Sequence, residues 1–105
     1  MPEQPTHEPV IEVARTDVEQ FLSKFLVRVT EDDDDTTSSH VVTLSGADWD
    51  RLGTGYRSPE MFVEACLTFL LQHEPKEQIL ASFDVSQISG YFPDFERAIT
   101  SRPND

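Results

Sequence analysis

A single cysteine, three histidines and twenty carboxylates are the side chains of this chain that could do chemistry. Cys66 lies in the most apolar stretch of the sequence, where a thiol behaves as a small hydrophobe with a raised pKa and not as a nucleophile. His7, His40 and His73 fall far apart, and no His-x3-His or Cys-x2-Cys spacing assembles a zinc site from local motifs. His73, at the end of a helical pattern, is favoured there by the helix dipole when protonated. The run Asp32-Asp33-Asp34-Asp35 follows Glu31 but lacks the alternating ligands and turn glycine of a calcium loop. Ser45-Gly46 and Gly53-Thr54-Gly55 match neither a P-loop nor a dinucleotide fingerprint, and both suffice as helix punctuation. Carboxylates are so abundant that no pair stands out. The residues therefore predict no catalytic centre, no cofactor and no metal site, and the chain does not read as an enzyme.

The elements that would position these groups are written more plainly. Met1 to Pro9 carry three prolines and almost no apolar content, so the N-terminal 1–19 reads as a disordered or partly helical tail. Thr16 and Glu19 have capping-box spacing, and Val18, Phe21, Leu22 and Phe25 share a helical face, which predicts a short helix over about 16–22. Phe25, Val27 and Val29 then alternate with Leu26, Arg28 and Thr30, the period of a strand over about 24–30. The acidic tract and Thr36 to Ser39 must form a solvated loop, mobile at its tip, before a second strand at His40 to Leu44. Two strands across a polar loop predict an antiparallel hairpin, which needs helices on one face to be stable.

Those helices follow. Ser45 and Asp48 cap a short helix holding Trp49 and Leu52, stopped by Gly53 and Gly55. Ser58-Pro59-Glu60 opens the next with a side-chain cap, a first-turn proline and an acid favoured by the dipole; Pro75 ends it near His73. Its Phe62, Val63, Ala65, Cys66, Leu67, Phe69 and Leu70 cover an arc of roughly 200°, about twice the usual stripe. Lys76 to Phe83 predicts a shorter helix with Ile79, Leu80 and Phe83 inward. Asp84 and Gln87 repeat the capping spacing before Val85, Ile88, Tyr91 and Phe92, and Pro93 opens a last turn or two with Phe95 and Ile99. The expected fold class is α+β, an antiparallel β-hairpin packed against a bundle of several short helices in one domain over 20–100, with 101–105 frayed.

The net charge of −12 opposes nucleic acid and anionic membrane and favours cations or basic partners. With only Lys24 and Lys76 against six arginines, the acidity also fits adaptation to a salty cytoplasm. One cysteine allows no internal disulfide, no signal-peptide pattern is present, and the longest near-continuous apolar run, Met61 to Leu71, is too short for a bilayer. A soluble cytoplasmic protein is expected. The broad apolar arc points to a protein partner or a homodimer, with Val63, Leu67 and Leu71 as the candidate interface.

Two resemblances complete the reading. A strand followed by two helices resembles the ribbon–helix–helix regulators, but Val41 to Leu44 offer no basic or amide side chains for base edges, so a nucleic-acid-associated regulator is the alternative. Phe69-Leu70-Leu71, Glu74-Pro75, Ile79-Leu80, Phe83-Asp84 and Tyr91-Phe92-Pro93 together resemble a group of small uncharacterised prokaryotic proteins that share these motifs. That resemblance covers roughly the second half of the chain and implies no activity. The function expected is a non-enzymatic protein-interaction or regulatory module.

Overall fold

Alternating apolar residues build the sheet. In the computed structural model, which describes residues 10–19, 22–31 and 36–100, three ten-residue strands run β1 (Val10–Glu19), β2 (Leu22–Glu31) and β3 (Thr36–Ser45). They are followed by α1 (Gly46–Leu52), α2 (Pro59–His73), a 3₁₀ turn at Lys76–Gln78 and β4 (Ser82–Asp84). A 3₁₀ turn at Val85–Gln87, α3 (Ile88–Tyr91) and α4 (Phe95–Thr100) complete the order. The sheet order is β1-β2-β3-β4, antiparallel except for the parallel β3–β4 pair. The fold is α+β.

Register decides which side chains are dry. Val29, Val27 and Phe25 of β2 stand opposite Ile11, Val13 and Arg15 of β1, and opposite Ser38, His40 and Val42 of β3. Phe25, Val27, Val29, Val42 and Leu44 are buried, whereas Leu26 and Arg28 face water, as the strand period predicts. All seven residues of the predicted α2 arc are buried. The predicted caps form: Ser45 Oγ accepts from Asp48 N–H, Ser58 Oγ accepts from Met61 N–H, and Asp84 with Gln87 closes a capping box. Gly53 is explained by its neighbour, because a Cβ there would run into the Trp49 indole.

Three expectations give way. Residues 10–19 form an edge strand and not a tail with a short helix, so the folded unit begins before residue 20. The capping spacing of Thr16 and Glu19 loses to a long ladder with β2, since β-branched Val10, Ile11 and Val13 suit a strand and place Ile11 and Val13 against the core. Thr16 sits instead at a register shift between Arg15 and Asp17. The helix expected over Lys76 to Phe83 also fails. After one 3₁₀ turn the chain extends, Val41 N–H donates to the Ala81 carbonyl at 2.8 Å, and Ser82–Asp84 pairs with Val41–Thr43. The buried edge of β3 needs backbone partners, and this segment supplies them. Phe83 is buried accordingly, but Leu80 is 45% exposed and not inward. The solvated loop expected from Glu31 to Ser39 is shorter than that, because Glu31 belongs to β2 and Thr36–Ser39 to β3, where they continue the antiparallel ladder through Arg28↔Ser39 to Glu31↔Thr36. Residues 1–9, 20–21, 32–35 and 101–105, on which the rest of the tail, acidic-loop and frayed-end expectations falls, lie outside the described residues.

The extra strand settles the candidate interface. α2 packs against β1 and α4, and Val63 and Leu67 are wholly buried inside the chain, with Leu71 partly buried against the same core. They form no exposed patch, because β1 enlarges the sheet on which α2 lies. Leu67→Ala should accordingly destabilise the protein by about 2–5 kcal/mol in urea unfolding, the cost of a core cavity; a loss below ~0.5 kcal/mol would mark a surface residue instead.

Candidate functional site

The predicted reactive groups are placed where chemistry is hardest. Cys66 is fully buried, and burial pushes its thiol far above the usual range. His40 is 2% exposed, with Nδ1 2.8 Å from the Leu80 carbonyl and Nε2 2.8 Å from Ser38 Oγ. A carbonyl only accepts, so Nδ1 carries a proton, and the serine hydroxyl is the partner of Nε2. Nδ1 thereby ties β3 to the segment before β4, and Nε2 is occupied within β3 by Ser38. His73, at the exposed end of α2, packs at a tilt against Phe69 and Phe92, with centroids 4.4 and 5.0 Å away. No group of three or more histidines, cysteines or acids capable of holding a metal occurs among the described residues. His7 and Asp32–Asp35 lie outside them.

The carboxylates that show perturbation are structural. Arg15 donates twice to Glu60 at 3.1 Å, and the guanidinium holds that carboxyl below its usual range. Arg51 likewise holds Glu96 low, bonding it at 2.9 Å and Asp48 at 3.0 Å, so that α1 is clamped to α4. At Asp84, burial works to raise the carboxyl, but hydrogen bonds from Thr43 and Ser86 outweigh it and leave it below the usual range.

Ribbon–helix–helix action needs a strand free to pair across a dimer. Val41–Thr43 is paired on one side with β2 and on the other with β4, so this stretch has no free edge. Lys24 and Arg28 lie on the opposite sheet face from the helices, each opposite an acid of β1, Asp17 and Glu12 respectively. Among the described residues no helix is long and apolar enough to cross a membrane.

What sequence reasoning missed is a cleft of about 310 Å³ at the C-terminal end of α2. Leu70, Ile79, Phe83, Ile88 and Phe92 wall it, Leu80 and Tyr91 stand at 45% and 62% exposure, and Glu74, Gln78 and Gln87 supply its polar groups. It exists because the chain leaves α2 at Pro75, makes one 3₁₀ turn and then runs extended, leaving a gap that α3 only partly closes. Its lining draws on all five short motifs of the sequence resemblance, a coincidence visible only once the chain is folded. No family model matches the chain, and neither a curated protein nor a solved structure matches it.

Two outcomes follow. Thiol-specific reagents should label Cys66 only as fast as the native protein unfolds; labelling at the rate of a free thiol would show an accessible site. Because the folded Asp84 carboxyl titrates below its ordinary value, its contribution is complete above that value and disappears as pH falls through the lowered one. The stability gap between the wild type and Asp84→Asn, read from thermal melts, should therefore be largest near pH ~7 and shrink towards pH ~3; a gap that is constant or grows in acid contradicts this.

Proposed function

We propose that this chain is a non-enzymatic protein-interaction or regulatory module, acting through a protein partner or through a second copy of itself. One observation carries the reading: Cys66, His40 and Asp84 are consumed by the fold, while the exposed Leu80 and Tyr91 stand beside an open apolar cleft. Interfaces spend their surface on aromatic and aliphatic anchors, and the exposed Leu80 and Tyr91 are of that kind. A cytoplasmic setting goes with this reading, and the lone buried thiol supports it.

The test is a photo-crosslinking scan in native cell extract over the exposed apolar positions Val10, Leu22, Leu26, Met61, Leu80 and Tyr91. At least one position should give a discrete protein adduct that excess unlabelled protein competes away. An adduct of twice the 11.9 kDa chain mass would identify the homodimer. Absence of any competed adduct at all six positions removes the module reading.

A further inference from the structure

The cleft contains two polar groups for which the fold has no use. The Glu74 carboxylate and the Gln78 carboxamide line it, and neither has a hydrogen-bond or ion-pair partner among the described residues. Glu60, Glu77 and Glu96, by contrast, each sit on a cation. Gln87 has its carboxamide oxygen committed to the Asp84 N–H at 2.8 Å. No lysine or arginine lines the cleft. A half-buried carboxylate without a counterion, in a chain of net charge −12, makes this mouth attractive to a positive group.

The apolar surface around that carboxylate extends beyond the cleft itself. A volume of about 310 Å³ lies at the bottom of the ~300–1,000 Å³ range of small-molecule pockets. Leu80 and Tyr91 continue the apolar surface outward, where a ligand confined to the cleft would leave them wet. Wet large apolar side chains next to a well-walled cavity suit a protein anchor bordered by further contacts. Resting on the interaction-module reading, we infer that the cleft is the recognition site and takes a basic, amphipathic peptide segment. One bulky apolar side chain enters against Leu70, Ile79, Phe83 and Phe92, and a neighbouring lysine or arginine meets Glu74.

Fluorescence anisotropy with short labelled peptides tests this on the full chain, using a central Trp or Ser flanked by Lys, Gln or Glu. The Trp–Lys peptide should bind best, with Lys preferred to Gln by roughly five-fold, the size of an exposed ion pair, and the preference should fade in ~1 M salt. Glu74→Gln should abolish the preference for Lys while keeping that for Trp. Leu80→Ser with Tyr91→Ser should weaken the Trp peptides several-fold by removing the apolar rim, while Trp remains preferred to Ser. All three side chains are exposed or half-buried, so unchanged melting curves certify folding of the variants. Failure of every peptide to bind, equal affinity for Lys, Gln and Glu, or a Lys preference that survives Glu74→Gln overturns the inference. Tryptamine binding as tightly as the peptide overturns it too, by giving the cleft to a small cation. If the crosslinking scan still traps a partner, only the basic-peptide inference falls; if neither assay responds, both fall.

Discussion

Everything in this fold answers one constraint: α2 carries apolar residues on an arc too wide for a single neighbour to cover. One flank lies on the sheet, where Phe25, Val27 and Val42 present a continuous dry surface. The other flank has to be roofed by pieces too short to be stable alone, α1 of seven residues, α3 of four and α4 of six. They hold because aromatic edges and a few directional bonds fix them to α2. Trp49 and Tyr56 meet Phe62 edge-on at 5.9 and 5.3 Å, Phe69 meets Phe92 and Phe95 at 5.8 and 5.2 Å, and the Tyr56 hydroxyl donates to the Ile99 carbonyl at 2.9 Å. Removing the arc would leave these helices with nothing to fold against.

Local signals were legible wherever one residue could satisfy its neighbour. Ser45, Ser58 and Asp84 cap as their spacing predicts, because an orphan helical N–H finds its partner within three residues. The alternation of β2 was equally plain, since one face is dry along its whole length. Strands β1 and β4 were hidden because their reward is distant in sequence. A capping spacing at Thr16 and Glu19 is cheap to find by chance, and only pairing with β2 decides against it. Ser82-Phe83-Asp84 is too short to show a period, so the helical spacing of Ile79, Leu80 and Phe83 wins any local reading. The cleft inherits this invisibility, because its walls converge only when residues 79–84 are extended.

The junction between β3 and that extended segment deserves weight because His40 is buried and polar. Its imidazole lies on the dry side of the sheet, where an unsatisfied nitrogen would cost about 1–3 kcal/mol. The two bonds it makes are therefore a requirement of its position, and one of them seizes the carbonyl of Leu80, the same residue that projects beside the cleft. Backbone pairing at Val41 and Ala81 adds a second tie on the same stretch. The cleft mouth thus hangs from the sheet and is not a feature of a loose loop, and binding at a mouth held this way would carry little ordering cost.

Charge enters last and acts outward. Among the ion pairs of the described residues, Arg15–Glu60, Arg28–Glu12 and Arg51 with Asp48 and Glu96 are solvent-exposed in whole or part and contribute about 0–1 kcal/mol each, while Lys76–Glu77 has a buried lysine whose desolvation offsets its attraction. A single buried valine or phenylalanine outweighs one of them at about 1.5–3 kcal/mol. Stability therefore does not account for twenty acidic residues in this chain, and a fold held by its core would stand with far fewer. Self-repulsion from a net −12 works against compactness, so the excess acid is a small standing cost of the folded state. Such a cost is recovered only in what the surface meets: dissolved cations, or a partner of opposite sign. The proposed basic peptide would use the apolar cleft and the carboxylate at its side together, whereas a diffuse salt atmosphere would use neither.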